Sequence, residues 1–291
     1  MLKPIMKLAH VIAIAFVATF LGSTAQTQDR SSQPLPVLPQ IYETSDYTIR
    51  VVELATGLSN PWSMAFLPNG DVLVTERAGR LRILRDGVLD PGPIPGVPEV
   101  RTTVLGGLLD VLTHPEFSTN TIIYLSYSKA IDEDLSTTAI ARARFDGESL
   151  KDLEEIFVVS TRSTSPTNVG GRMVFGTDGH LYVTIGERQE QERAQGLMDH
   201  GGKILQLRDD GAPPGGNPFV DDPGYLPEIY TLGHRSPQGL AVHPEPEPSG
   251  RTNMARWVET NSTFSLPDAT TDGRWFPMAR TTMGPRLPRR V

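Results

Sequence analysis

The sequence predicts an all-β chain, a β-propeller. Three observations carry this. The first is turn chemistry: 27 Gly and 25 Pro among 291 residues, which suits many short elements and few long helices. The second is a strand-turn-strand unit that recurs. The third is its spacing. Taking Pro68, Pro115, Thr177 and Pro244 as turn markers, the intervals are 47, 62 and 67 residues. Propeller blades run to about 40–50 residues, and loop insertions fill the surplus. A β-sandwich is the competing architecture.

The units justify themselves locally. Met64–Phe66 and Val72–Thr75 flank Pro68-Asn69-Gly70, and Asn-Gly adopts positive φ cheaply at a hairpin tip. Met173–Phe175 and Leu181–Thr184 flank Asp178-Gly179 in the same way. A looser copy runs from Leu109 to Tyr127 around His114-Pro115, and Gly239-Leu240-Ala241-Val242-His243-Pro244 begins a fourth. Further strands are expected at Leu81–Leu84, Thr138–Phe145 and Ile204–Leu207.

Other segments read differently. Lys3 and Lys7 precede an apolar run, Leu8–Leu21, and Ser23-Thr24-Ala25 offers a small-residue cleavage site. Residues 1–25 are therefore expected to be a signal peptide, with the mature protein periplasmic or secreted. The apolar run is shorter than the ~20 residues a spanning helix needs, so no stable membrane span is expected after cleavage. Residues 26–45 are polar and Pro-containing and read as a flexible leader. The core is expected over 46–245. The net charge of −7 gives no basic footprint for nucleic acid. With no cysteine, disulfides, thiolate metal sites and cysteine nucleophiles are excluded.

The repeats also resemble a known family. Gly106-Gly107-Leu108-Leu109-Asp110-Val111, His114-Pro115-Glu116-Phe117 and Tyr124-Leu125-Ser126-Tyr127 look like the pyrroloquinoline-quinone-dependent glucose/sorbosone (aldose sugar) dehydrogenases. Gly170-Gly171-Arg172-Met173, Gly202-Lys203-Ile204-Leu205, Asn217-Pro218-Phe219 and Gly233-His234-Arg235-Ser236-Pro237-Gln238-Gly239 follow in the family's order. The resemblance covers about residues 50–245. It implies a six-bladed propeller, here with about four blades' worth of sequence, that binds the quinone with calcium and oxidises an aldose C1 hydroxyl. A small sugar and an external electron acceptor are the implied partners.

Mapped residue by residue, the implied site is blunted. The family's proton-accepting histidine falls on Asn168, and an amide holds no proton near neutral pH. A cofactor-contacting glutamine falls on Leu105. Arg235 matches the pocket arginine, and Ser236 stands where asparagine is common. Glu187-Arg188 replaces the usual Asp-Arg and reads as a turn. Lys203 reads as a strand-edge charge. His114, His180, His200 and His234 read as packing or solvent-facing, and no metal ligands are assigned. A non-catalytic propeller acting as a binding module is the alternative.

After Pro244 the texture changes. Residues 252–291 contain no Lys, no Ile and seven Thr. The family's Glu-His-Gly-Pro-x-Gly-Gly-Asp-Glu-Leu-Asn and Asn-Tyr-Gly-Trp-Pro motifs, which carry cofactor and calcium contacts, are missing. Met and Trp have one codon each, which allows a back-translation. Shifted by one base, the codons over 249–263 permit Trp-x-Asn-Glu-His-Gly-Pro-Met-Gly-Gly-Asp-Glu-Leu-Asn, and those over 269–274 permit Asn-Tyr-Gly-Trp-Pro. A frameshift near residue 245 is the resulting expectation, with 246–291 an aberrant, disordered tail and the enzyme impaired.

Overall fold

The computed structural model describes residues 39–242 and, as backbone, 255–259. The chain divides after Glu53 into two units. In the first, β1 (Gln40–Glu43) pairs antiparallel with β2 (Thr48–Val51). Residues 40–43 were expected within the leader and instead form a strand. Nothing in their composition marked it, because the hairpin is largely exposed.

The second unit is a succession of antiparallel sheets. The first holds β3 (Pro61–Phe66), β4 (Val72–Glu76), β5 (Arg80–Arg85) and β6 (Val88–Leu89). The second holds β7 (Leu108–Thr113), β8 (Ile122–Ala130), β9 (Ser136–Phe145) and β10 (Leu150–Val158), with one short helix, α1 (Phe117–Asn120), between β7 and β8. The third holds β11 (Gly170–Phe175), β12 (Leu181–Ile185), β13 (Lys203–Leu207) and β14 (Ile229–Leu232). The fourth, as far as it is described, pairs β15 (Pro237–Val242) with β16 (Ala255–Glu259). Residues 255–259 lie in the segment expected to be an irregular tail. The rest of that tail and the expected signal peptide lie outside the described residues.

Each repeated unit is the first hairpin of a blade. Phe66 pairs with Val72 and Met64 with Val74, as Phe175 pairs with Leu181 and Met173 with Val183. Gly70 (φ +92°) and Gly179 (φ +77°) supply the positive φ at the two tips. The first strands β3, β7, β11 and β15 are successive neighbours. The chain is thus an all-β propeller: four sheets stacked side by side, the last described in part.

Alternation explains the stacking. Ile123, Leu125 and Tyr127 of β8, with Ala139, Ala141 and Ala143 of β9, face the first sheet and meet Ala65, Leu73, Leu81 and Ile83. Tyr124 and Ile140, on the other face, meet Met173, Leu181, Val183 and Leu205 of the third. Both faces of the middle sheet are buried along β7, β8 and β9, whereas its outermost strand β10 is mostly exposed.

Apolar faces attract without fixing register. Polar contacts at the inner strands fix it. The buried Asp110 of β7 takes Ser63 Oγ from β3 and, from β11, Arg172 Nη1 at 3.0 Å and the Met173 N–H at 2.7 Å. One carboxylate therefore joins three sheets. Arg172 also donates to Ser63 Oγ (2.9 Å) and lies over the Trp62 ring, 4.4 Å from its centroid. Thr75 Oγ1 reaches the Leu109 carbonyl (2.6 Å) and Ser126 Oγ the Gly171 carbonyl (2.6 Å). Gly171, at φ +102°, has no room for a side chain, since a Cβ would stand 2.6 Å from Leu109 Cδ1.

Asp110→Ala is expected to cost about 3–5 kcal/mol, the scale for removing one partner of a buried ion pair. Glu154→Ala, which removes a mostly exposed partner of Arg142, is expected to cost no more than about 1 kcal/mol. Urea denaturation of both variants checks the contrast.

Candidate functional site

The starts of the four inner strands come together at one end of the stack. Trp62, Arg77, Leu105, Val169, Gly170 and Gln238 line a cleft there of about 70 Å³. Close backbone approach builds its floor. Gly107, at φ +146°, lies so near Arg77 that a Cβ would stand 2.0 Å from the Arg77 carbonyl oxygen. The Leu105 N–H donates to the Pro166 carbonyl (3.0 Å), and the Glu187 N–H to the Arg235 carbonyl (2.9 Å).

The four residues singled out from sequence fall at this end. Leu105 lies on the connection into β7 with 44% of its surface exposed. It gives the cleft an apolar wall at the position where the resemblance puts the family's glutamine. Asn168 precedes β11 and is 9% exposed, in the left-handed region at φ +51°, a conformation asparagine accepts more readily than most residues. Arg235 and Ser236 precede β15. The Arg235 side chain is 35% exposed, while Ser236 is buried and takes a hydrogen bond from Gln238 Nε2 at 2.8 Å.

Glu187 ties two of them together, a role the sequence reading did not assign. Its carboxylate is 1% exposed. Oε1 accepts Asn168 Nδ2 at 2.9 Å and stands 3.6 Å from Arg235 Nε. Oε2 accepts the Gln189 N–H. The Glu187 oxygen accepts this bond, so the amide nitrogen of Asn168 lies toward Glu187 and Oδ1 on the other side. The expected turn role of Glu187 holds for its backbone, and its side chain adds the bridge. The signal was its place directly after Gly186, but sequence alone does not tell which loop faces it.

Strain gathers at the same spot. Arg188 (φ +59°) and Gln189 (φ +63°) join Asn168 in the left-handed region. Such residues persist where their surroundings over-determine them, and they cluster at functional sites.

Among the described residues no histidine lines this cleft. His200 is buried, takes the Ser160 N–H at Nδ1 (3.0 Å) and meets Glu228 through Nε2 (3.3 Å). His234 is buried against Thr231 Oγ1 (2.8 Å). Lys203 corrects the sequence reading. It opens β13 but is fully buried, its ammonium bonded to the carbonyls of Arg193 (2.6 Å) and Gly201 (2.8 Å). It pins the loop 193–201 from below. An isolated Lys before an apolar run looks the same whether it caps a loop or faces water.

Among the described residues no three His, Cys, Asp or Glu side chains are grouped to hold a metal ion, and no helix is long and apolar enough to cross a membrane.

Comparison with known proteins places these features in a wider set. A family model described as glucose/sorbosone dehydrogenase matches residues 58–248. An uncharacterised protein of Synechocystis is 40% identical over 264 residues, covering 83% of this chain and 63% of its own length. The aldose sugar dehydrogenase of Escherichia coli is 36% identical over 214 residues, covering 72% of this chain and 58% of its own. The chain thus spans about six tenths of these relatives. A solved structure, the quinone-bound form of an aldose sugar dehydrogenase from Streptomyces coelicolor, superposes with a TM-score of 0.60 at 29% identity, over 76% of this chain and 66% of that one.

Lys203 gives a pH signature. Burial pushes its ammonium down to about 8, Asp199 pulling it back and Arg193 adding to the depression, whereas an unfolded lysine titrates near 10.4. Below about pH 8 both states hold the proton, and folding carries the full cost of burying it. Between there and about pH 10.4 the unfolded chain binds the extra proton, so stability from this group rises with pH. Urea midpoints at about pH 7 and about pH 9.5 are expected to show this rise, and Lys203→Met is expected to lack it.

Proposed function

Because the chain belongs to the glucose/sorbosone dehydrogenase family, whose model covers residues 58–248, we propose that its fold serves quinone-dependent oxidation of an aldose C1 hydroxyl to a lactone. We propose equally that the residues present here carry this reaction weakly or not at all. The single observation behind the second statement is Asn168. It stands where the resemblance puts the proton acceptor, and the Glu187 carboxylate holds its amide.

The cofactor implied by the family is a planar tricarboxylate, pyrroloquinoline quinone, used with calcium. Such a group needs several guanidinium or ammonium forks. Of the arginines at this end, Arg172 is committed to Asp110, Ser63 and Trp62, and Arg77 donates Nη1 to the Val104 carbonyl. That leaves Arg235, itself facing Glu187, with Ser236 beside it, the unmet Nε of Arg77 and, buried behind the Asn168 segment, Arg188. Leu105 cannot hydrogen-bond. Calcium takes six to eight oxygen ligands, carboxylate and carbonyl alike, and among the described residues no three carboxylate or imidazole side chains are grouped to supply the charged part of such a set. They make one wall of a cofactor site and do not fit the whole group, so no chemical step is routed through it.

The protein is proposed to be exported to the periplasm or beyond, by the signal-like residues 1–25, and to pass electrons to an external acceptor. The frameshift proposed near residue 245 would account for the missing wall, because the shifted codons permit the motifs that carry it. The gene's own codons over 240–263 decide this: codons that forbid the shifted reading overturn it.

A second reading is a binding module without turnover. It is favoured by the exposed Leu105 and Val104 beside the cleft and by an amide that binds an O–H without accepting its proton.

Dye reduction by glucose, with quinone and calcium supplied, is expected to stay near background for this chain. In a frame-restored protein, Asn168→His is expected to raise the rate about 10²-fold or more, the usual reach of a general base. Histidine tolerates positive φ better than most residues, so the backbone admits the change. Full turnover with Asn168 in place overturns the assignment. Tight quinone binding with no gain from Asn168→His favours the binding module.

A further inference from the structure

Arg188 is a buried guanidinium with no carboxylate on it. The residue is 2% exposed. Nη2 donates to Ser136 Oγ (2.9 Å) and to the Ser165 carbonyl (2.6 Å), both neutral acceptors. Nε is buried and has no hydrogen-bond partner. Thr167 Oγ1 is in the same condition. Thr167 adjoins Asn168, whose carbonyl takes the Arg188 N–H at 3.2 Å. The segment 165–168 is thus wrapped against Arg188, and the two together leave an N–H and a hydroxyl unmet. Buried polar groups are rarely left so, and each exception calls for an unseen partner.

The surrounding charge says what kind of partner. Arg188 feels Arg193 and Glu190, and Lys203 feels Arg193 and Asp199. Both carboxylates are already held by Arg193, Glu190 at 2.7 Å and Asp199 at 2.6 Å. The next carboxylate along the chain, Glu187, is engaged by Asn168, Gln189 and Arg235. Three cations therefore share two carboxylates. Arg188 and Lys203 are buried, Arg193 and Asp199 part-buried, and Glu190 stands half-exposed at the edge. An uncompensated buried charge is costly. A water molecule could meet the hydrogen bonds, but it would leave the surplus charge in place.

We propose that Arg188 binds one small monovalent anion, of halide or formate size, at its unmet Nε–H, with the Thr167 hydroxyl as second donor. The anion completes the charge of the cluster and holds the segment carrying Asn168 against the strained 187–189 turn. This site is independent of the redox reading and stands or falls without any assay of turnover.

The test uses the purified full chain freed of halide, at one ionic strength made up with sodium gluconate, an anion far larger than halide or formate. Replacing gluconate by bromide, or separately by formate, is expected to raise the thermal midpoint saturably. The rise should reach about 2–4 °C when the anion is several-fold above its Kd. Arg188→Met is expected to abolish the dependence, and Arg188→Lys to keep part of it. A rise with formate alone assigns the site to carboxylates, and one with both to small anions in general. Crystals grown in bromide are expected to show an anomalous peak against Arg188 Nε, a readout that does not need the variant to fold. Equal midpoints in all three salts, a dependence that survives in Arg188→Met, or a water at Nε with no anomalous signal each overturn the proposal.

Discussion

One buried carboxylate organises the inner face of this protein. Asp110 gathers a hydroxyl from the first sheet and a guanidinium and a backbone N–H from the third, while sitting on the second. The chain has no cysteine, so no covalent cross-link holds neighbouring blades in register. Leucine and valine faces tolerate sliding, because burial is rewarded by area and not by direction. A carboxylate whose acceptors are all directed does not. It sets where β3, β7 and β11 stand along one another, and the apolar contacts then fill in behind it.

That constraint is what brings the candidate site together. Once the inner strands are in register, the residues just before each strand meet at one end, although Leu105, Asn168 and Arg235 are far apart in sequence. Glu187 repeats on a smaller scale what Asp110 does below it. It holds an amide from the loop before β11 and faces a guanidinium from the loop before β15. The left-handed backbone at 168, 188 and 189 belongs to the same arrangement, since two loops that must touch through one carboxylate have little freedom in how they turn.

The blade hairpins were legible because their signal is local. An Asn-Gly or Asp-Gly tip between apolar strands announces itself, and so did β5, β9 and β13, which are buried on both faces. The outermost strands were not legible. β10 reads Leu-Lys-Asp-Leu-Glu-Glu-Ile-Phe-Val and is mostly exposed, so it carries no alternation to detect. The β1–β2 hairpin failed for the same reason. At the candidate site, resemblance singled out Asn168, Leu105, Arg235 and Ser236, and the structure sets them toward one end of the stack. Resemblance did not reveal the bridge through Glu187 or the burial of Lys203, because both depend on which loops fold over them. Pairing across loops is a property of register, and register is not written in any one segment.

The pins that set register and the residues of the candidate site occupy different parts of the blades. Asp110, Ser63, Thr75 and Ser126 lie within strands, and their partners are backbone groups or other strand residues. Changing them costs the stack itself. Asn168 and Leu105 lie in the connections before strands. The Asn168 side chain bonds Glu187 beside its own sheet, and the Leu105 side chain stands part-exposed at the cleft, so both are set apart from the directed contacts that join one sheet to the next. What holds the stack together is therefore not what would carry a reaction, and the fold alone does not license one.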